Sequence, residues 1–412
     1  MKARSLADWL AYIERQHPQA IALGLDRVRE VLAALNIGFT CPVLTVGGTN
    51  GKGSTCAMLE SILQAGGYRT GLYTSPHLLR FNERVRIGGR EADDASLCEA
   101  FAAVEAARGN VPLTYFEFGT LAALFLFSKE KIEAAILEVG LGGRLDAVNV
   151  LDADCAVLTS IGIDHVEFLG NTREAIGTEK AGIFRKGRPA VVADPDPPAT
   201  VLKSDARLLL IGRDFGYRAQ GTQWAYWGPA GKRSGLAYPA LRGAVQLRNA
   251  SAALAALDSL RERLPVAMQD VRRGLGEVVV PGRFQVLPGR PQVVLDVAHN
   301  PEAAAVLAAN LGDSGYAPET IAVFGMLKDK DIAGVARALA PRITRWHLAT
   351  LPGPRGADAR HLSGVLRELK IQAPAVEHDS VAEALAAARK EAGEGDKIVV
   401  FGSFLTVADA YG

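Results

Sequence analysis

The stretch LTVGGTNGKGSTCAMLESIL, residues 44–63, is the strongest indication of the fold, because an apolar run ends in glycines and a helical pattern follows at once. Residues 42–46, PVLTV, predict a buried strand, and residues 52–65 predict a helix that ends at Gly66 and Gly67. Residues 69–74, RTGLYT, predict the next strand. Strand, glycine-rich turn, helix and strand in this order form a βαβ unit, which is typical of a parallel sheet.

The glycine-rich turn departs from the strict phosphate-loop pattern G-x-x-x-x-G-K-[ST]. Gly51 and Lys52 supply the G-K pair, but Val46 stands where the first glycine belongs, and Gly53 delays the hydroxyl to Ser54. The turn could be purely structural. Its place between a strand and a helix favours a phosphate site, because glycines let backbone N–H groups point inward and the helix N-terminus attracts anions.

Composition excludes several classes of protein. The chain has 412 residues, of which 49% are hydrophobic and 22% charged, and its net charge is +1. These values predict a soluble protein of two or three domains without a nucleic-acid or membrane partner. The N-terminus lacks a signal-peptide core, so we expect a cytoplasmic location. The four cysteines lie far apart, which argues against a disulfide framework or a zinc finger.

Apolar runs alternate with helical patterns along most of the chain, which predicts an α/β fold with a mostly parallel sheet covered by helices. Residues 207–247 predict a small antiparallel meander, and residues 249–264 predict a helix. The segment VVVPGRFQVLPGRPQ, residues 278–292, is rich in Pro and Gly and predicts a domain boundary. We therefore expect a P-loop domain over 1–281 and a smaller Rossmann-like α/β domain over 282–412.

Polar residues follow several predicted strands of the first domain. They include Ser75, Glu138, Asp164 and His165. Ligands bind beyond the carboxyl ends of parallel strands, so these groups should face the same crevice as the glycine-rich loop. Glu138 could bind Mg²⁺ there, although a Glu and His pair alone would favour manganese or zinc. Ser75 and His165 could equally be ordinary turn residues.

The second domain also carries polar residues at predicted strand ends. Asp296, His299 and Asn300 precede a helix that starts with a proline, and Ser403 follows the last predicted strand. A cleft between the domains is the expected active site. Lys180 gives no comparable signal, and by itself it is expected to be a solvated surface lysine.

Ten motifs occur in a fixed order from about residue 24 to 404, and together they resemble the dihydrofolate synthase/folylpolyglutamate synthase family of the Mur ligase superfamily. The motifs are GTNGKGS, TSPH, FEFGT, LEVGLGGRLDA followed by Asn149, SIGIDH, EKAGIF, LRNASAAL, VPGRF, DVAHNP and FGS. The resemblance implies an enzyme, an ATP-dependent acid–amino-acid ligase. It would join L-glutamate to dihydropteroate and to the γ-carboxylate of tetrahydrofolates through an acyl phosphate.

The resemblance also implies roles for individual residues. Lys180 matches a lysine that the family carries as an N6-carbamate, and Lys52, Lys180, His299 and Ser403 match catalytic positions. The implied ATP-binding residues are Asn50, Gly51, Lys52, Gly53, Ser54, Asn249, Arg283 and Asp296. The implied ligands of two Mg²⁺ ions are Ser54, Ser75, Glu138, His165 and Lys180. The implied pterin or folate pocket comprises Asp26, Arg27, Val28, Thr114, Phe116, Glu117, Leu145, Asp146 and Ala147.

Three alternatives remain open at this point. The enzyme could have only the folylpolyglutamate synthase activity, or it could be a different Mur-type ligase, although only about 40 residues precede the phosphate loop. It could also be a P-loop kinase or regulatory ATPase that makes no amide. A monovalent cation such as K⁺ is a further cofactor that the resemblance allows. We expect small-molecule partners and a monomer.

Overall fold

The computed structural model describes residues 4–19 and 21–411, which form two compact units. The first unit holds the described residues up to Ala240 together with Leu247–Val278, and the second holds Leu241–Gln246 with the described residues from Val279 onward. Both units combine strands and helices, and the first has a large, mostly parallel sheet. The predicted α/β fold class is therefore confirmed.

The main sheet of the first unit has eight strands in the order β4-β3-β2-β5-β1-β6-β7-β8. The strands from β2 to β8 along this order run parallel, and β3 and β4 form an antiparallel edge. The strands are β1 Val43–Gly47, β2 Thr70–Tyr73, β3 Val85–Ile87, β4 Arg90–Glu91, β5 Ala134–Glu138, β6 Cys155–Leu158, β7 Pro189–Val192 and β8 Arg207–Leu210.

Helices cover this sheet, and side-chain caps fix where several of them begin. Thr114 caps the helix Tyr115–Lys129 and forms a capping box with Glu117. Thr172 caps the helix that carries Lys180. The helices are α1 Leu6–Ile13, α2 Asp26–Leu35, α3 Lys52–Ala65, α4 Asp94–Arg108, α5 Tyr115–Lys129, α6 Val166–Leu169, α7 Arg173–Ala181, α8 Ala199–Leu202, α9 Val245–Ser259 and α10 Met268–Glu277. None of the helices in the described part of the chain has both the length and the apolar character needed to cross a bilayer.

The predicted meander is shorter than the sequence suggested. Its antiparallel strands are β9 Gly216–Gln220, β10 Gln223–Gly228 and β11 Gly231–Ala237. The prediction was wrong for β8, which pairs in parallel with β7 and extends the main sheet. It was also wrong for the end of α9, because after Ser259 the chain turns with short-range backbone bonds before Pro265.

The second unit has its own six-stranded sheet in the order β12-β13-β17-β14-β15-β16. All neighbouring strands are parallel except β12, which lies in the segment predicted as a domain boundary and pairs antiparallel with β13. The elements are β12 Gln285–Leu287, β13 Gln292–Asp296, α11 Pro301–Asp313, β14 Thr320–Phe324, α12 Ile332–Leu339, β15 Arg345–Ala349, α13 Ala359–Glu368, β16 Ala375–His378, α14 Val381–Glu391, β17 Lys397–Phe401 and α15 Phe404–Tyr411.

Close packing between α3 and α10 holds the helix of the phosphate loop in place. A Cβ atom added at Gly274 of α10 would lie 2.5 Å from the Cα and 2.6 Å from the backbone nitrogen of Ile62. The Ser61 hydroxyl donates to the Gly274 carbonyl at 2.8 Å. Gly274 therefore permits a backbone approach that no larger residue allows.

We expect Gly274→Ala to destabilise the protein by about 1–3 kcal/mol, because the added methyl group would force the two helices apart. Gly276→Ala is the matched control, since a Cβ there meets no atom within 4 Å. The control should be neutral or slightly stabilising, because alanine favours helix by about 1 kcal/mol over glycine. Thermal unfolding of both variants checks this, and equal midpoints would contradict it.

Candidate active site

Four neighbouring parallel strands bring the predicted site residues to one edge of the main sheet. Their order is β2-β5-β1-β6. Glu138, the last residue of β5, pairs with Val46 of β1, and Tyr73 of β2 pairs with Leu137. The ends of β1, β5 and β2 therefore lie side by side. They carry the glycine-rich loop, Glu138 and the segment that begins at Ser75.

The glycine-rich loop after β1 is bonded to the segment after β6. Asn50 donates its backbone N–H to the Ser160 hydroxyl at 3.0 Å, and its carbonyl accepts from the Thr159 hydroxyl at 2.7 Å. A Cβ at Gly48 would lie 1.9 Å from the Thr159 hydroxyl oxygen, and Gly51 has φ of 88°. Glycine is thus required at both positions, once for space and once for a left-handed backbone.

Lys52 and Asn249 lie beside this loop. The Lys52 amine donates to the Gly48 carbonyl at 3.0 Å and to the Thr49 carbonyl at 3.2 Å, so it lies over the loop. Asn249 of α9 is buried next to Gly51, where an added Cβ would come within 2.7 Å of its side-chain oxygen. Ser54 is buried in the first turn of α3. A phosphate group here would meet a cation and the N-terminus of α3.

Ser75 and Glu138 are brought together at the ends of β2 and β5. The Ser75 backbone N–H donates to a Glu138 carboxylate oxygen at 3.1 Å, and Glu138 is buried. A hydroxyl and a carboxylate are hard oxygen donors of the kind that Mg²⁺ prefers. Within residues 4–19 and 21–411, no group of three His, Cys, Asp or Glu side chains could hold a metal ion. A Mg²⁺ site would therefore also need hydroxyl, phosphate or modified-lysine oxygens.

Asp164 and His165 lie on the segment after β6. His165 has φ of 51° and precedes α6, and its backbone N–H donates to the Asp164 carboxylate at 2.9 Å. Its Nε2 lies 3.9 Å from the other Asp164 oxygen. A non-glycine residue in the left-handed region costs energy, which is common at functional sites.

Lys180 is buried, so the expectation of a solvated lysine was wrong. Burial lowers the pKa of Lys180 to about 7, and the positive charge of Lys52 lowers it further, while Asp164 and Asp146 oppose the shift. Lys180 therefore has residues of the phosphate loop, the β6 segment and the 145–147 segment as electrostatic neighbours. Near neutral pH a substantial fraction of its amine is uncharged.

Three segments proposed for the acceptor pocket are also joined. Arg27 of α2 forms an ion pair with the buried Glu117 at 2.8 Å, and it donates to the Ala22 carbonyl at 2.6 Å. The Gly24 N–H donates to the Leu145 carbonyl at 3.3 Å. The N-terminal segment, the start of α5 and the 145–147 segment thus lie together.

Several residues predicted for the acceptor pocket also stabilise the fold. Asp146 accepts backbone N–H groups from Leu141 at 2.8 Å and Val148 at 3.0 Å, and burial raises its pKa to about 6. Val28 lies in the core, so only its backbone can meet a ligand, while Asp26 is exposed. The remaining pocket residues are placed as follows: Phe116 packs against Tyr73 with ring centroids 5.9 Å apart, Thr114 caps α5, and Ala147 begins a buried turn.

The second unit gathers its own predicted residues around the ends of β13 and β17. Asp296 accepts backbone N–H groups from Phe284 at 2.9 Å and Ala298 at 2.8 Å, and burial raises its pKa. The Phe404 ring lies 5.3 Å from the Arg283 guanidinium and 6.2 Å from the His299 ring. Asn300 caps α11.

Ser403 has hydrogen-bond partners that its predicted role did not anticipate. Its hydroxyl accepts the Thr406 backbone N–H at 3.0 Å and bonds the Thr406 hydroxyl at 2.8 Å. The Thr406 hydroxyl in turn donates to the Gly325 carbonyl at 2.7 Å, so Ser403 is the donor to Thr406. This is the geometry of a helix N-cap, and it fixes the start of α15.

Sequence reasoning missed Thr159 and Ser160, although both hold the phosphate loop. The available signal was a pair of hydroxyl residues directly after a strand, at the same edge as the loop. Such a pair is common in turns, so only the adjacency of β1 and β6 reveals its importance.

Comparison with known proteins identifies the family. Residues 46–257 match the Mur ligase middle domain, and residues 282–404 match the Mur ligase, glutamate ligase domain. The dihydrofolate synthase/folylpolyglutamate synthase of Escherichia coli (strain K12) is 46% identical over 411 residues, which cover 98% of this chain and 94% of that protein.

Two solved structures are similar over nearly the whole chain. E. coli FolC in complex with DHPP and ADP has a TM-score of 0.94 at 45% identity, covering 99% of this chain and 97% of that chain. A bifunctional folylpolyglutamate synthase/dihydrofolate synthase with Mn, AMPPNP and L-glutamate bound has a TM-score of 0.90 at 44% identity with the same coverage. This chain belongs to the dihydrofolate synthase/folylpolyglutamate synthase family of Mur ligases.

Proposed function

We propose that this chain is an ATP-dependent ligase that joins L-glutamate to dihydropteroate and to the γ-carboxylate of tetrahydrofolates, releasing ADP and phosphate. One observation carries the proposal. The buried Lys180 amine has Lys52 of the phosphate loop, Asp164 after β6 and Asp146 of the acceptor segment as electrostatic neighbours. Charged residues of the phosphate loop, of the segment after β6 and of the acceptor segment thus all act electrostatically on the same buried amine.

The chemistry starts from a poor electrophile. A carboxylate needs a leaving group before an amine can attack it, so its oxygen first attacks the γ-phosphorus of ATP and gives an acyl phosphate and ADP. Lys52 and the backbone N–H groups of residues 51–54 would hold the phosphates and stabilise the charge on the transferring group. In such reactions positioning and electrostatics supply most of the rate enhancement.

The described residues provide the donors that Mg²⁺ would need. Ser75, Glu138, His165 and Ser54 would hold two ions together with phosphate oxygens, and Mg²⁺ would neutralise negative charge on ATP. We propose that Lys180 contributes as a carbamate, which offers the oxygen atoms that an ammonium lacks. Carbamate formation requires an uncharged amine, and the lowered pKa of Lys180 supplies one near neutral pH.

The second step joins glutamate to the activated carbonyl. Its amine attacks the acyl carbon, and inorganic phosphate leaves. We propose that the second unit binds L-glutamate through His299, with Ser403 fixing the start of α15 nearby, and that Arg283 and Asp296 hold the nucleotide together with Asn249. In this proposal residues 1–281 bind ATP and pterin, and residues 282–412 form the glutamate-ligase domain.

The remaining features of the proposal are a cytoplasmic location, a monomeric state and a possible K⁺ site. They follow from the composition and the family resemblance. The partners are then all small molecules, namely ATP, L-glutamate, dihydropteroate and reduced folates.

The first test is the substrate dependence of ADP release. We expect rapid release only when ATP, L-glutamate and a pteroyl acceptor are all present, because the acyl phosphate turns over only when the amine attacks. Dihydropteroate and tetrahydrofolate should both serve. Lys52→Ala should lower the rate by at least about 100-fold, since it removes a charge that stabilises the transferring phosphoryl group. Equal ADP release without any amino acid would instead indicate a kinase.

The second test is the carbamate on Lys180. With ¹³C-labelled bicarbonate we expect a carbamate signal by NMR that grows from pH 6 to pH 8, because the fraction of uncharged amine rises through the pKa of about 7. Lys180→Met should lose both the signal and most of the activity.

Lys397 offers a matched control for this experiment. It is also buried with a pKa lowered by burial, but its amine donates to the Ser314 hydroxyl at 2.6 Å and the Gly315 carbonyl at 3.3 Å. Lys397→Met should therefore retain the carbamate signal. A signal that persists in Lys180→Met would refute the assignment.

The third test concerns the N-terminal segment as part of the dihydropteroate pocket. Arg27→Gln should raise the KM for dihydropteroate about tenfold or more, because the ion pair with Glu117 holds this segment in place. Arg29→Gln, an exposed position on the same helix, should leave KM unchanged. Steady-state kinetics with both acceptors check this, and matching KM values for the two variants would exclude the role.

A further inference from the structure

Arg84 belongs to none of the residue groups described so far, yet it lies next to them. It ends the short 3-10 helix Phe81–Arg84 that follows the Ser75 segment. The Arg84 carbonyl accepts the backbone N–H of Thr74 at 2.9 Å, so the chain returns beside the start of that segment. Arg84 is therefore close in space to the proposed Mg²⁺ ligand Ser75.

The side chain of Arg84 is held in one orientation by three neighbours. Its Nε donates to His77 Nδ1 at 2.8 Å. Its guanidinium carbon lies 5.4 Å from the ring centroids of both Phe81 and Tyr115. Aromatic faces attract a cation and stack on the flat guanidinium, which leaves the outer N–H groups available for a planar anion.

Two acidic residues on the segments that carry Phe81 and Tyr115 have other partners. The Glu83 carboxylate accepts the backbone N–H groups of residues 78–80, each at 2.7 Å. Glu117 pairs with Arg27 and accepts the Thr114 N–H at 2.7 Å. Across the described ranges, no carboxylate lies within 4.0 Å of the Arg84 guanidinium, and its two terminal nitrogens make no hydrogen bond. A half-buried arginine that has no carboxylate partner in the protein can bind an anionic ligand with its planar N–H groups.

The surroundings indicate which anion this is. Tyr115 begins α5 beside the pocket residue Phe116, and the Phe81 and Tyr115 rings pack 5.8 Å apart. These aromatic rings suit an aryl group better than a triphosphate, and the phosphate loop already has Lys52 as its cation. A guanidinium binds a carboxylate with two parallel hydrogen bonds.

We propose that Arg84 binds a carboxylate of the acceptor, with His77 as the residue that positions its guanidinium. This inference rests on the proposed function, because it takes a pteroyl compound as the acceptor. Two carboxylates have the required chemistry. One is the benzoate carboxylate of dihydropteroate, and the other is the α-carboxylate of the glutamyl group in a tetrahydrofolate.

The test compares two ligands that differ only in the carboxylate. Dihydropteroate and its analogue with a phenyl ring in place of the benzoate are titrated calorimetrically into the full-length protein without ATP. We expect the wild-type protein to prefer dihydropteroate by roughly 10- to 100-fold. If Arg84 binds the benzoate carboxylate, Arg84→Gln should lose that preference while binding the analogue as tightly as the wild type does. Unchanged analogue binding also shows that the variant is folded.

Arg80→Gln is the matched control, because Arg80 lies four positions earlier with its side chain 68% exposed and paired with Glu91. It should keep the full preference. His77→Ala should lose part of it, since it frees the Arg84 side chain.

A third ligand, tetrahydrofolate, identifies which carboxylate is bound. Weaker binding to Arg84→Gln that is confined to dihydropteroate supports the benzoate carboxylate, because that carboxyl is an amide in tetrahydrofolate. Weaker binding confined to tetrahydrofolate supports the α-carboxylate, and weaker binding of both acceptors shows that Arg84 binds a carboxylate in each. If both acceptors and the analogue bind Arg84→Gln as they bind the wild type, the inference is overturned. If the wild-type protein binds no pterin at all, the proposed function fails instead.

Discussion

The hydrogen bonds between the ends of β1 and β6 are the constraint on which the site depends. The Asn50 backbone N–H donates to the Ser160 hydroxyl, and the Asn50 carbonyl accepts from the Thr159 hydroxyl. The Thr49 hydroxyl accepts the Gly162 N–H and donates to the Gly162 carbonyl. These bonds fix the phosphate loop against the segment after β6, so nucleotide binding has less conformational entropy to overcome. They also tie the loop to the segment that carries His165.

Strand order adds the second requirement. The chain runs from β1 through α3 to β2, yet β5 lies between those two strands in the sheet. This insertion places Glu138 between the phosphate loop and Ser75. In the proposed site, Glu138 and Ser75 can therefore act on the same cation. Sequence pattern predicted β1, β2 and β5 and the polar residues that lie at or just after their ends. It could not give the order of strands, because pairing is decided by contacts between residues far apart in the chain.

Some residues that match the family motifs also begin a helix, and only the structure shows that second role. Thr114 and Glu117 match the acceptor-pocket motif, and they also form a capping box that starts α5. Ser403 matches a position near glutamate, and its hydroxyl caps α15. The burial of Lys180 could not be read from the sequence, because it depends on packing between distant segments. The 143–144 turn, for example, packs against the backbone of α7, where a Cβ at Gly143 would meet the Lys180 carbonyl at 2.9 Å. The same residues thus match predicted ligand-binding positions and stabilise helix ends, and the sequence alone cannot separate these two roles.

The hydroxyl of the phosphate loop comes one position late, at Ser54, and the charges near the loop are unusual as well. Two lysine amines, Lys52 and Lys180, influence each other at one site, and like charges disfavour the protonation of the buried one. An uncharged Lys180 removes that repulsion, and the proposed carbamate would replace it with attraction while adding oxygen donors. Metal binding would then be shared among Ser75, Glu138 and Lys180. In this proposal a loop with the sequence G-K-G-S would serve in place of G-K-[ST], because the neighbouring strands and α7 would provide the metal ligands that the adjacent hydroxyl supplies in the strict pattern.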